Sequence, residues 1–225
     1  MTPPLAVDID GTMSRPDRSI DPRALDALSA WDAPVVIATG KALPYPVALA
    51  QYAGVEEIVI AENGGIAVAE DALQVHGDRA AADAVTEEYR ARGHDLGWGE
   101  PDLANMWRET EVAVSRESPL EPLVEIAQAH GLEVLDSEFA YHVKATDVSK
   151  GAALEALAAH YDVDPATFVA VGDSANDVSL FEVVGRSFAV GNAVDVARDA
   201  ADEVMDGTYA DGFLQALNEV ISAGG

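Results

Sequence analysis

The chain contains no cysteine, which excludes disulfides, thiolate metal sites and a cysteine nucleophile. It has three lysines, Lys41, Lys144 and Lys150. No apolar stretch is long enough to span a bilayer. There is no basic segment followed by an apolar run at the N-terminus, so no signal peptide is expected. These absences point to a cytoplasmic protein. Positive charge is also scarce: Lys and Arg number 13 against 40 Asp and Glu, for a net charge of -27. Nucleic acid and anionic membrane surfaces would be repelled. The acids are dispersed, not gathered in a tail. Dispersed acid with few lysines is the pattern of proteins from salt-loving archaea, where high internal salt screens self-repulsion.

What is present is globular. Half the composition, 49%, is hydrophobic, and 225 residues hold one large domain or a core with a smaller second domain. The stretch that organises the rest is Leu5-Ala6-Val7-Asp8-Ile9-Asp10-Gly11-Thr12. Its apolar residues suit a buried strand, whereas Asp8 and Asp10 do not. Residues two apart share a side of a strand, so the two carboxylates repel, and a divalent cation would relieve them. Gly11 lets the backbone turn sharply away.

A helix starts at Asp21-Pro22, with Leu25, Leu28 and Trp31 at helical spacing. Residues 34–38 read as a buried strand ending in Thr39-Gly40-Lys41. A helix from about Leu43-Pro44 to Tyr52 follows, closed by Gly54. Residues 57–61 form a third strand, ending in Glu62-Asn63-Gly64-Gly65, and residues 66–68 a hairpin arm. The chain is expected to leave the core after Gly64-Gly65. Residues 78–92 are helical, then comes a loop with Gly93, Gly97, Gly99 and Pro101. Residues 109–114 alternate like a half-exposed strand, 119–129 are helical, and 133–135 with 139–144 make a hairpin. This set predicts a small α+β unit with one open sheet face. The buried pattern returns with a helix from Ser149 to about Tyr161 and a strand at 168–171, which ends in Gly172-Asp173-Ser174-Ala175-Asn176-Asp177. A short helix, two short strands and a last helix complete the chain. The fold class is α/β, a doubly wound and mainly parallel sheet, with residues 1–75 and 148–225 as core and 76–147 as an inserted α+β cap.

Four core strands end in polar clusters: Asp8 and Asp10; Thr39; Glu62 and Asn63; Asp173, Asn176 and Asp177. A parallel sheet brings these ends to one edge. Lys150, at a helix N-terminus, reaches the same edge. Each residue has an ordinary reading alone: a strand-end hydroxyl, a surface lysine, a helix cap, a turn. It is their joint order at strand ends that argues for a site. Oxygen ligands without His or Cys suit Mg²⁺. Thr, Lys and helix N-termini suit phosphate, and a carboxylate can accept a phosphoryl group.

Asp8-Ile9-Asp10-Gly11-Thr12, Thr39-Gly40, Lys150 and Gly172-Asp173-Ser174-Ala175-Asn176-Asp177 resemble, in order, the four motifs of the haloacid dehalogenase superfamily phosphatases. Glu62-Asn63-Gly64 and the insertion resemble the branch with a large α/β cap. Length and compact cap resemble its archaeal phosphoglycolate phosphatases, near the sucrose-phosphate phosphatase group. Lys41 departs from the pattern, since many relatives carry Arg or Asn there. The resemblance implies a Mg²⁺-dependent phosphatase acting on a small phosphorylated substrate, 2-phosphoglycolate first and a sugar phosphate second. It implies Asp8 as nucleophile and metal ligand, and Asp10 as general acid and base whose backbone carbonyl faces the metal. Thr39, Gly40, Lys150 and Asn176 would hold phosphate, with Lys150 keeping Asp8 ionised, and Asp173 and Asp177 would hold the metal. A homodimer is compatible with the sequence. Tyr141, His142 and Trp107 are expected to be packing residues. A rival class is a phospho-acceptor signalling receiver, which would need neither the insertion nor the second acidic cluster.

The charge imbalance has a direct consequence. At about 1 M salt the screening length falls to about 3 Å. The melting temperature is therefore expected to climb as KCl is raised toward molar concentrations. A melting temperature that is flat or falls with KCl would contradict this reading.

Overall fold

The computed structural model describes residues 2–70 and 72–223. Its main sheet has eight strands: β1 (Leu5–Val7), β2 (Val35–Ala38), β3 (Val59–Ala61), β4 (Ile66–Ala69), β5 (Ala72–Val75), β9 (Val169–Gly172), β10 (Arg186–Ala189) and β11 (Glu203–Val204). They lie in the order β11-β10-β9-β1-β2-β3-β4-β5, parallel from β11 to β3, with β4 and β5 antiparallel. The chain builds outward from β1 in one direction through β2 and β3, then in the other from β9. The strand order thus reverses between β1 and β9, the place where open α/β sheets form a crevice for ligands.

Alternation along each strand feeds two apolar layers. Leu5, Val7, Val35 and Ile37 pack with α1 (Pro22–Ser29), α2 (Pro44–Ala53) and α8 (Tyr209–Ala223) on one face. Ala6, Val36, Ala170 and Ala189 pack with α5 (Lys150–His160), α6 (Val178–Phe181) and α7 (Asp195–Ala200) on the other. Local signals set several boundaries. Asp21 caps α1 by accepting from the Arg23 N–H at 2.9 Å, with Pro22 at the first helical position. Gly54 closes α2 in the left-handed conformation. Ser149 caps α5 by accepting from the Ala152 N–H at 3.1 Å, and so places Lys150 in its first turn.

A second sheet, β6 (Val112–Ser115), β8 (Ala140–Ala145) and β7 (Leu132–Asp136) in that spatial order, is antiparallel. Helices α3 (Arg79–Ala91) and α4 (Leu120–Ala129) cover one of its faces through Ala82, Val85, Tyr89, Leu123 and Ile126.

Two expectations need correction. The chain does not leave the main sheet after Gly64-Gly65, because β4 and β5 extend that sheet as a hairpin and the departure follows Val75. Nor is β6 half-exposed, since all four of its residues are buried. The face expected to be open is buried too, with Ala113 and His142 paired across it and both shut off from solvent, while the free edge of β6 is capped where Ala113 O accepts from Trp98 Nε1 at 2.8 Å and from Asn105 Nδ2 at 2.9 Å. Its polar residues found partners there, so alternation of polar side chains did not mean exposure.

Helix α5 sits close against α6. A Cβ built on Gly151 would lie 2.0 Å from the Ser179 carbonyl oxygen. Gly→Ala inside a helix ordinarily gains up to about 1 kcal/mol, but overpacking costs about 1–3 kcal/mol. Gly151→Ala is therefore expected to lower the melting temperature in saturating KCl. A rise would show that the two helices separate freely.

Candidate active site

Each site residue is placed by a strand end or helix start. Asp8 follows β1, and its N–H still donates to Val171 O of β9 at 3.1 Å, so its carboxylate stays at the sheet edge. Gly11 takes φ +83°, and a Cβ there would lie 2.0 Å from Asp173 Oδ2. The turn therefore requires glycine in order to press against the loop after β9. Thr12 Oγ1 donates to Asp173 Oδ1 at 2.9 Å.

At the centre lies the fully buried ammonium of Lys150, which donates to Asp8 Oδ1 and to Asp177 Oδ1, both at 2.7 Å. The other oxygen of Asp177 accepts from the N–H groups of Asp173 and Ser174, each at 3.0 Å. Asp8, Asp173 and Asp177 are all buried, and each offers an oxygen within 4.8 Å of the others. Burial pushes the Asp8 carboxyl up to about 7. Lys150 opposes that rise, while Asp177 and Asp10 add to it. Burial, with Asp8 and Asp177 behind it, also raises Asp173 well above the usual carboxylate range. Burial works to lower Lys150, but Asp177 and Asp8 outweigh it and hold the ammonium charged. Lys150 alone thus leaves Asp8 with a raised pKa.

Thr39 is buried after β2, and its Oγ1 accepts from the Lys41 N–H at 3.1 Å. Asn176 donates through Nδ2 to Asn63 Oδ1 at 2.9 Å and accepts on Oδ1 from Ser174 Oγ at 2.7 Å. Asp10 is partly exposed, and its Oδ2 lies 2.9 Å from Lys41 Nζ. All the expected residues, Asp8, Asp10, Thr39, Gly40, Lys150, Asp173, Asn176 and Asp177, gather around this one edge.

The second sheet supplies a facing wall. Ser137, Phe139 and His142 line a cleft with Asp8, Asp10, Thr39, Gly40, Lys41, Ser174 and Asn176, and about 20 Å³ is free between them. Neighbouring residues of a strand face opposite ways: Tyr141 packs with Tyr89 and Leu123 in the second core, whereas His142 turns to the cleft. Trp107 packs in neither core. It is partly exposed, edge-on to Tyr45 at 6.5 Å between centroids.

A buried polar network joins the two walls. Glu62, on the turn after β3, accepts from the Glu109 and Thr110 N–H groups and from Thr110 Oγ1 at 2.7 Å. Asn63, left-handed at φ 56°, donates to Glu111 Oε2 at 2.9 Å. Glu111 also pairs with Arg108 and with His142 Nδ1 at 2.7 Å, and Arg108 donates to Gly40 O at 2.9 Å. Burial alone would raise the Glu111 carboxyl, but His142 and Arg108 bring it down to about 2. Sequence reasoning did not find Arg108, Glu111 or Ser137. The one signal was that charged residues sat inside an otherwise strand-like run.

A larger cavity of about 610 Å³ lies at the opposite ends of the strands, lined by Pro4, Pro34, Ile58, Leu154 and Phe168 among others. Its lining is mainly apolar, with Glu56, Glu57 and Glu70 as its carboxylates and no Lys or Arg among them, whereas carboxylates and an ammonium converge in the narrow cleft.

Comparison with known proteins agrees. The family model for haloacid dehalogenase-like hydrolases matches residues 5–90 and 127–217. A phosphoglycolate phosphatase of Halobacterium salinarum is 60% identical over 220 residues, covering 98% of each chain. One of Natronomonas pharaonis is 56% identical, covering 97% of each. The crystal structure of Thermoplasma acidophilum 0175 superposes with a TM-score of 0.84 at 24% identity, covering 98% of this chain and 99% of that one, a likeness of fold. The strand-end motifs, the order of the strands and these matches together establish that the chain belongs to the haloacid dehalogenase-like hydrolase family.

Proposed function

We propose that the protein is a Mg²⁺-dependent phosphatase that hydrolyses a small phosphate monoester, 2-phosphoglycolate before all others, through an aspartyl-phosphate on Asp8. The observation that carries this is the convergence of Asp8, Lys150, Asp173 and Asp177 at the switch point of the sheet. The substrate follows the relatives of 52% to 60% identity that bear the name phosphoglycolate phosphatase. The reading places the work in the cytoplasm, on a soluble small molecule. Among the described residues no helix is long and apolar enough to cross a membrane.

The residues fit a divalent cation. Three buried carboxylates lie together, only Asp8 and Asp177 of them paired with the one ammonium, and all the donors are hard oxygens. Asp8, Asp173, Asp177 and the Asp10 carbonyl would hold Mg²⁺, which when bound offsets charge on the transferring phosphoryl group. Thr39, Gly40, Lys150 and the second N–H of the Asn176 amide position the phosphate oxygens. An oxygen of Asp8 attacks phosphorus, the ester P–O bond breaks, and Asp10 gives its proton to the leaving oxygen. Asp10 then takes a proton from water. The water oxygen attacks the same phosphorus, the bond to Asp8 breaks, and phosphate leaves.

Residues 76–147 act as a cap over a core of residues 1–75 and 148–225. A cavity of about 20 Å³ holds roughly one water. The described form is therefore the closed one, and the cap opens to admit substrate. Asp10 at the mouth, beside the position of a leaving oxygen, favours turnover over a phosphorylated signalling state.

Asp8→Asn is expected to abolish phosphate release from 2-phosphoglycolate while the protein still folds, as circular dichroism would check. Normal turnover would sink the assignment. Mg²⁺ is expected to raise the melting temperature of the wild type, since a ligand of the folded state stabilises it. Cation binding needs ionised carboxylates, and Asp8 holds its proton up to about 7. The Mg²⁺-induced shift should therefore be large at pH 8 and shrink as pH falls through 7. A shift equal at pH 5 and pH 8 would contradict a site built on Asp8.

A further inference from the structure

We propose that Lys41 selects the substrate by pairing its ammonium with a carboxylate on the leaving group, and that closure of the Phe139 hairpin holds it in place to do so. This rests on the phosphatase reading above and adds to it the part of the site that recognises the leaving group.

Charge in the cleft motivates the assignment. The chain has three lysines, and two of them, Lys41 and Lys150, line or underlie this one cleft. Lys150 is fully buried and already donates to Asp8 and Asp177, so it faces the phosphoryl position. A leaving group bearing its own carboxylate would enter a cleft walled by Asp8 and Asp10 and be repelled by both. Lys41 is the ammonium on the outer side. Its Nζ lies 2.9 Å from Asp10 Oδ2, beside the group that protonates the leaving oxygen. The carboxylate of a two-carbon acid is two bonds beyond that oxygen, within reach of an ammonium placed beside Asp10.

The surroundings of Lys41 suit a second partner. An ammonium has three N–H donors, and Asp10 engages one carboxylate oxygen with it. Two ring faces flank the ammonium, Phe139 at 4.9 Å and Tyr45 at 5.6 Å to the centroids. Such faces attract a cation without consuming its hydrogen bonds. Phe139 is itself held between Lys41 and Arg18, whose guanidinium carbon lies 5.0 Å from the ring centroid. The tip of the β7–β8 hairpin thus meets Lys41 in this closed arrangement. The Lys41 side chain keeps 25% of its surface exposed. An ion pair that open to water contributes little to stability, so stability alone does not account for this lysine.

The test uses two matched pairs of esters, 2-phosphoglycolate with 2-hydroxyethyl phosphate and 3-phosphoglycerate with glycerol 3-phosphate. Wild type, Lys41→Met and Lys41→Arg are assayed at one Mg²⁺ and one KCl concentration. A hydrogen bond between charged groups corresponds to about tenfold or more in binding. The wild type is expected to prefer the acid in at least one pair by kcat/KM. Lys41→Met should collapse that preference about tenfold or more, chiefly through KM, and Lys41→Arg should retain most of it. A loss shared equally by acid and neutral ester, leaving the ratio unchanged, would assign Lys41 to Asp10 alone and overturn the proposal. Wild-type turnover of the neutral esters without preference for either acid would overturn it too, yet leave the phosphatase standing. Failure to cleave any ester would overturn the phosphatase reading itself.

Discussion

An ammonium buried without exposure to water is the constraint to which the rest of this protein answers. Desolvating Lys150 is costly, and Asp8 and Asp177 offset the cost only because each reaches it at 2.7 Å. That geometry requires β1 and β9 to be neighbours, α5 to begin at Lys150, and the turn after β9 to fold back on itself. Ser149 supplies the helix start, and Gly151 allows the first turn of α5 to press on Ser179. Removing one carboxylate partner would leave charge buried with half its compensation, so the central elements hold one another in register.

The excess of acid at the centre is equally purposeful. Asp173 contributes a further buried carboxylate that Lys150 does not touch, and both it and Asp8 are held above the ordinary carboxylate range by burial and by neighbouring carboxylates. A folded protein tolerates such repulsion where a cation resolves it. The surface carries negative charge for another reason: its acids are dispersed and face solvent, where salt screens them. The same residue types thus do opposite things according to depth.

The two walls of the cleft are joined unequally. Near the chain crossings, Glu62, Asn63, Arg108 and Glu111 form a buried network in which each carboxylate is satisfied, so breaking one link strands a buried charge. At the far side the hairpin tip is held by Phe139 between Lys41 and Arg18, contacts that are partly exposed and individually modest. A body fastened firmly at one end and lightly at the other is built to rock about the firm end, which is the motion the proposed cap needs.

The doubly wound core was legible in the amino-acid sequence, as were most of the residues that converge at its edge. Buried strands such as 34–38 are continuous apolar runs, and Asp10, Thr39 and Asp173 follow such runs at positions the sheet sends to one edge. Lys150 was legible for a related reason, since Ser149 marks a helix start. These signals are local, a few residues long, and survive without knowledge of partners. Only the tertiary structure decided what depends on contacts between distant segments. The pairing of β4 with β5 was missed because Ala72–Val75 is short and exposes Leu73 and Val75. His142 is buried as expected, but nothing near it in sequence shows that Glu111, 31 residues away, holds its ring beside the cleft. Lys41 likewise stood without a role until folding set Asp10 on one side of it and Phe139 on another. Local sequence dictates where a strand ends, but which charges meet across a cleft is settled by packing that no short stretch contains.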